Sequence, residues 1–310
     1  MKKYFVLLLT LICIMHIEVY AQRTSTDKKL TAKVQNLIKN FNGEVGVYVK
    51  HLKTGKIVAI NADELFPTAS TIKIPIMVGV FDKIEKGELE YNKNLKIDKS
   101  RELYKGDAGI LASLADSSNI LLSQALMLSI SVSDNSASLW LQQLAGTGTQ
   151  INSLFNSYGF ESTRVNSRTP GREKERDLYG WGQTSPREMA TLVEKIRKGE
   201  IVSQAASEEM YRVLGNMYLD HRSISQIPPY IKVASKTGSV NKARSEVVLV
   251  NAPHGDYVFA IYTKNQKDES WRQNNEGFVL IRNLSALLWN HFEPKYGWQP
   301  PENSKYQKLW

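Results

Sequence analysis

Cysteine is almost missing: the 310 residues contain one, Cys13. It falls within a segment that reads as an export leader. Lys2-Lys3 form a basic start, Tyr4 to Ile12 an apolar run, and Val19-Tyr20-Ala21 a small-residue cleavage site. Cleavage is expected after Ala21, so a mature chain of residues 22–310 has no thiol, makes no disulfide and depends on its core for stability. Ile12, directly before Cys13, is too bulky for a lipoprotein signal, so a secreted or periplasmic chain without a lipid anchor is expected. No later apolar run is long enough to span a bilayer. Histidine is scarce too. His51, His221, His254 and His291 stand apart from one another in the mature chain, which gives no support for a metal or any other cofactor. The formal charge of +9 becomes +8 when Lys2, Lys3 and Glu18 leave, but the basic residues are scattered among acidic ones. Zinc-finger, glycine-rich phosphate and RNA-binding aromatic signatures are absent, so nucleic acid is not an expected partner. Internal repeats are lacking as well.

What remains is an ordinary globular composition, 42% apolar, in a chain long enough for a sizeable core. Leu30, Val34, Leu37, Ile38 and Phe41 recur at helical spacing and mark one amphipathic helix. Glu44–Lys50 and Ile57–Ile60 flank the turn Lys53-Thr54-Gly55-Lys56 and predict a β-hairpin. From residue 70 to about 222 the signals are mostly helical. Apolar helices are expected around Leu121–Met127 and Leu139–Leu144, and Ser185-Pro186-Arg187-Glu188 is a capping box that starts a helix ending before Gly199. Residues 161–184 lack periodicity and read as a long structureless loop, a length that usually marks a functional segment. Strand signals return at Ile231–Ala234, Glu246–Val250 and Tyr257–Tyr262, followed by a helix presenting Leu280, Leu284, Leu287 and Leu288. The pattern predicts an α+β fold: an antiparallel sheet from residues 22–69 and 223–310, flanked by the two terminal helices, with a helical lobe over 70–222 inserted in a single catalytic domain.

Three short motifs carry the chemistry. Ser70-Thr71-Ile72-Lys73 opens the apolar run Ile74–Val78, and a helical spacing of three puts a hydroxyl and an amine on one face. A serine is a poor nucleophile until a neighbouring base takes its proton, and a desolvated lysine can be that base. The spacing alone is not specific, because Ser25/Lys28 and Ser239/Lys242 share it. Ser133-Asp134-Asn135 lies between two helices, and Lys236-Thr237-Gly238-Ser239 lies between two strand-like runs, unlike its decoy Lys53-Thr54-Gly55. The ordered set of three is specific where each member is not.

This set, with Phe66-Pro67-Thr68-Ala69 before Ser70, resembles the penicillin-recognising serine hydrolases, most closely the class A β-lactamases. The resemblance covers roughly residues 40–292. It implies that Ser70 attacks a β-lactam carbonyl and becomes acylated, with Lys73 in the proton relay. It further implies that Ser133 protonates the departing ring nitrogen and that Asn135 holds the side-chain amide of the substrate. Lys236 and Thr237 would bind the substrate carboxylate, and the backbone amides of Ser70 and Ser239 would form the oxyanion hole. Arg244 is a further candidate for the carboxylate. Asp134 reads as a cap, Ser235 and Thr71 as structural, and Tyr179 and Trp181 as packing residues of the loop. The class A enzymes carry Glu-x-x-Leu-Asn in that loop to hold the deacylating water; this chain has Gly171-Arg172-Glu173-Lys174-Glu175-Arg176-Asp177 instead. Glu173 is taken as the catalytic carboxylate, with Glu175 and Asp177 as alternatives. The expected partner is a small β-lactam or cell-wall peptide, acting on a monomer. Two rival readings follow from the altered loop: a hydrolase of peptidoglycan peptides or other amides and esters, and a non-catalytic β-lactam sensor.

Overall fold

The computed structural model describes residues 24–100 and 109–300, so the expected leader at 1–21 lies outside the described residues. In chain order, β1 (Ser25–Thr26) and α1 (Lys28–Ile38) precede the hairpin β2 (Glu44–His51) and β3 (Lys56–Ile60). β4 (Phe66–Pro67) then leads through a 3₁₀ turn at Ala69–Ile72 into α2 (Lys73–Glu85). The middle of the chain holds β5 (Asn94–Lys96), α3 (Ile110–Ser113), β6 (Asn119–Leu121), α4 (Leu122–Ser131), α5 (Asn135–Leu144) and α6 (Thr147–Ser157). Next come β7 (Arg164–Val165), α7 (Glu173–Tyr179), β8 (Gly182–Thr184), α8 (Pro186–Arg197) and α9 (Gln204–Leu214). The chain closes with β9 (Val233–Val240), β10 (Ala243–Val250), β11 (Tyr257–Lys264) and α10 (Glu276–Phe292).

The main sheet has the order β1-β3-β2-β11-β10-β9 and is antiparallel except for the two-residue parallel pairing of β1 with β3. Its central strands are buried on both faces, which is why they read as continuous apolar runs rather than alternating ones. Val47, Val49, Val248 and Phe259 pack with Leu284 and Leu288 of α10 and with α1. Tyr48, Val247 and Ala260 face the other way, into the core shared with α8 and the middle helices. Both terminal helices therefore cover one face, and α8, from the middle of the chain, covers the other. Asp27 joins the two terminal helices: it caps α1 by accepting from the Leu30 amide at 2.9 Å and meets His291 Nε2 of α10 at 3.0 Å.

Segment 161–184 is not the structureless loop its composition suggests. β8 pairs with β4 on one side and β7 on the other in a small three-stranded sheet, and α7 forms between β7 and β8. Short polar anchors replace the missing periodicity. Gln142 Nε2 of α5 donates to the Ser167 carbonyl at 2.6 Å, and Arg172 donates to Asn166 Oδ1 and Gln183 Oε1 at 2.8 and 2.7 Å. The capping box at α8 is only half made. Ser185 accepts from the Glu188 amide at 3.3 Å, but the Glu188 carboxylate turns outward and accepts from the amides of Glu161, Ser162 and Thr163 at 2.7, 2.9 and 2.7 Å. Glu188 is thus the clamp on the start of the loop. Glu188→Ala is expected to lower unfolding free energy by about 2 kcal/mol, since it strands three amides; a thermal midpoint equal to wild type would remove the clamp from the account.

Candidate active site

Ser70 stands on the 3₁₀ turn, not on the helix proper, and Lys73 is the first residue of α2. In a 3₁₀ turn, side chains three apart eclipse one another, so the pair still shares a face. The residue before the serine, Ala69, has φ +46°, and Ser133 has φ +61°, both in the left-handed region that β-carbon-bearing residues avoid. Strain of this kind persists only where surrounding packing enforces it, and here it falls beside two of the three motifs.

Those motifs converge. Lys73 is fully buried, and its Nζ donates to the Ser133 carbonyl at 2.5 Å, to Ser133 Oγ at 3.1 Å and to Asn135 Oδ1 at 2.8 Å. Lys236, equally buried, donates from β9 to the same Ser133 Oγ at 3.0 Å and to its neighbour's carbonyl, Thr237 O, at 3.0 Å. A hydroxyl oxygen has two lone pairs and one proton. With both lone pairs facing lysine nitrogens, the Ser133 proton is left for a third partner. Burial, reinforced by the charges of Lys73 and Arg222, holds Lys236 well below the ordinary lysine value, and Glu246 opposes the shift.

β9 is the outermost strand and lies against the Ser70 turn. A β-carbon at Gly238 would come within 2.6 Å of the Thr68 carbonyl and 3.0 Å of the Ser70 amide, so only glycine allows this approach. The Lys-Thr-Gly-Ser motif therefore lies inside β9, not at a strand end as its sequence position suggests. In front of the motifs opens a cleft of about 620 Å³ lined by Ser70, Asn135 and Ser239 together with Leu178, Tyr179, Gly180 and Trp181 of the loop. Its outer rim includes Glu44, Lys264 and Asn265.

Asp134 caps α5 by accepting from the Ala137 amide at 2.8 Å, Thr71 Oγ1 shares a hydrogen bond with Tyr262 at 2.9 Å, and Ser235 donates to Glu246 at 2.8 Å. These three are bound into the frame, as expected. Trp181 packs partly against the core and, beyond that expectation, also lines the cleft.

Two expected site residues lie elsewhere. Arg244 is fully buried with its guanidinium turned to the carbonyls of Val240, Asn241 and Ala243 at the β9–β10 turn and to Ser270, and it is sandwiched by Trp271 and Phe278 at 4.8 and 4.7 Å. Its two terminal nitrogens are committed to backbone oxygen, and its Nε is buried without a partner, so the guanidinium is turned away from a carboxylate contact. Glu173 stands at the exposed start of α7 and accepts from the Gly171 amide at 3.1 Å. Neither it nor Glu175 nor Asp177 lines the cleft; the loop turns Leu178 to Trp181 inward instead.

Arg222 and Glu246 are the residues that sequence reasoning missed. Arg222 is buried, donates to the Gly238 carbonyl at 3.3 Å, and is pushed down to about 10 by burial. Arg222 had no sequence signal, lying in an irregular polar stretch. Glu246 had one: a carboxylate heading the run Val247–Val250 is out of place in a doubly buried strand unless it is paired.

Sheet, helices and motif geometry together define a serine β-lactamase-like hydrolase, and the chain belongs to the beta-lactamase enzyme family, whose model matches residues 29–292. It is similar to β-lactamase VEB-1 of Pseudomonas aeruginosa, 23% identical over 92% of this chain and 97% of that protein. Among solved structures it is similar to PBP-A, 27% identical with a TM-score of 0.76, over 87% of this chain and 98% of that one. A point mutant of PBP-A, 28% identical over the same shares at the same TM-score, was solved as an acyl-enzyme complex with penicillin G. The fold is also that of an ancestral class A β-lactamase, at a TM-score of 0.72 and 22% identity over 85% of this chain and 100% of that one.

Proposed function

We propose that the protein opens the β-lactam amide through an ester on Ser70. The observation that carries this reading is the shared Ser133 hydroxyl, held between two buried lysines at 3.1 and 3.0 Å beside the serine-bearing turn. Lys73 in its neutral form, with one of its donations to Ser133 or Asn135 given up, takes the proton from Ser70 Oγ while the Oγ–C bond forms, and the developing oxyanion meets the backbone amides of Ser70 and Ser239. Ser133 gives its free proton to the lactam nitrogen as the C–N bond breaks, and Lys73 restores it, so the proton that left Ser70 is balanced on the leaving nitrogen. Lys236 and Thr237 hold the substrate carboxylate, with Arg222 behind them as a further cation, and Asn135 holds the side-chain amide. Export as a secreted or periplasmic protein, on the leader Lys2–Ala21, fits a cell-wall or antibiotic substrate.

A second reading is favoured by the loop. None of Glu173, Glu175 and Asp177 lines the cleft, and without a loop carboxylate to activate water an ester on Ser70 should outlast its formation. Slow β-lactam turnover by an enzyme whose own substrate is a cell-wall peptide fits this, and a lasting ester is in keeping with the penicillin G acyl-enzyme solved for a point mutant of PBP-A. Intact-protein mass spectrometry after adding penicillin G separates the two. An increase of one penicillin mass that accumulates and then decays slowly is expected. A penicillin consumed with no accumulating adduct would remove the slow reading, and a chain that never gains mass would remove Ser70 acylation.

A further inference from the structure

Glu246 is a fully buried carboxylate that no step above uses. Its Oε1 accepts from Ser235 Oγ at 2.8 Å and its Oε2 from the Ser223 backbone amide at 3.2 Å. Each donor is the chain neighbour of a buried cation: Ser235 precedes Lys236, and Ser223 follows Arg222. Arg222 completes the ring by donating to the Gly238 carbonyl of β9, and its guanidinium lies 4.3 Å over the Phe278 ring, where water cannot replace a counter-charge. Among the described residues, Lys236 thus faces Lys73 and Arg222 as like charges and Glu246 as an opposite one. Arg222 in turn faces Arg244 and Arg282 as well as Glu246. Buried cations without an anion are costly, and one carboxylate placed among them reduces that cost for all of them. Burial pushes the Glu246 carboxyl above its ordinary value, and Arg222 together with the donors Ser235 Oγ and Ser223 N–H opposes that shift and favours the ionised form.

We propose that Glu246 is the positioning residue of the anion site: it keeps Lys236 charged and ties Arg222 to β9, so that the cleft selects acyl donors bearing a carboxylate. The inference rests on the reading of Lys236 as the carboxylate contact. Lys236 must be protonated to hold an anion. Burial, Lys73 and Arg222 depress its pKa and Glu246 raises it, so removing the Glu246 charge lowers that pKa further and acylation by an anionic substrate fails at a lower pH than in wild type.

The experiment compares acylation of wild type and Glu246→Gln by penicillin G and by its methyl ester, which lacks the anion, across a pH series. In Glu246→Gln the alkaline limb for penicillin G is expected to move to lower pH, and the preference for penicillin G over its ester to fall by about tenfold, the change carried by one pKa unit. The ester profile should not move. Equal losses for both substrates with an unmoved limb would make Glu246 a purely structural residue and overturn the proposal. Wild type that acylates but shows no preference for the carboxylate overturns the Lys236 reading, and wild type that acylates with neither substrate overturns the Ser70 reading. If Glu246→Gln does not fold, the same limb shift is read between Arg222→Gln and the double variant Arg222→Gln/Glu246→Gln, in which the Arg222 charge is already gone and Lys236 loses the charge of Glu246. An identical limb in those two is the overturning result.

Discussion

Ser70→Ala is expected to abolish the covalent penicillin adduct and to lower any β-lactam hydrolysis on the order of 10⁶-fold, the loss found when a nucleophilic serine is deleted from an assembled site. Its thermal midpoint should stay close to wild type, because the Ser70 side chain faces the cleft rather than the core. That pairing of outcomes separates Ser70 from its neighbours. Thr68, Thr71 and Lys73 are all fully buried, and Lys73 alone joins α2 to both Ser133 and Asn135. A variant that keeps the adduct would show that another nucleophile accepts the acyl group, and Ser133, whose hydroxyl meets both Lys73 and Lys236, would be the first to examine.

The sheet and its flanking helices were legible because burial on both faces writes itself as apolar runs, and helix ends announce themselves in single residues. Gly87, at φ +72° just beyond α2, and Gly199, at φ +79° just beyond α8, stop their helices as their positions imply. The three motifs were legible only as an ordered set, since Ser25/Lys28 has the spacing of Ser70/Lys73 and Lys28 likewise opens a helix, but Ser25 lies in β1 and not on a turn facing the other motifs. The loop was not legible, for a physical reason. Its order comes from side chains reaching distant backbone, Gln142 to Ser167 and Glu188 to residues 161–163, and such contacts leave no period in the sequence. The same holds for Arg244. Its place one turn beyond Lys-Thr-Gly-Ser suggests the cleft, yet strand register opposite Ser239 and the rings of Trp271 and Phe278 draw the guanidinium to the far side. Carboxylates in the loop were misjudged in the opposite direction: charge drew attention to Glu173, whereas the chain spends its charged residues on the solvent side of α7 and turns Tyr179 and Trp181 to the cleft.

Gly238→Val is the substitution expected to separate geometry from chemistry most sharply, since it touches no reacting group. Thr68 O, which a new β-carbon would approach to 2.6 Å, already accepts from the Thr71 amide at 3.1 Å, from Thr71 Oγ1 at 2.8 Å and from Ser245 Oγ at 3.0 Å. Backbone so engaged cannot give way. Ser245 Oγ, at 2.3 Å, can rotate, but then leaves that carbonyl. The relief open to the chain is for β9 to withdraw from the Ser70 turn, and β9 carries Lys236, Thr237 and the Ser239 amide with it. A displacement of about 1 Å between nucleophile and oxyanion donors costs on the order of 100-fold in rate, while overpacking costs about 1–3 kcal/mol of stability. Acylation by penicillin G should therefore fall about a hundredfold in a protein that still folds, with Gly238→Ala intermediate. Gly87→Ala is the matched control: it is strained by its positive φ but meets nothing within 4 Å, so it should lose about 1 kcal/mol of stability and no activity. If Gly238→Val acylates at the wild-type rate, the close approach of β9 is not what assembles the site, and the Ser239 amide would have to be replaced as the second oxyanion donor.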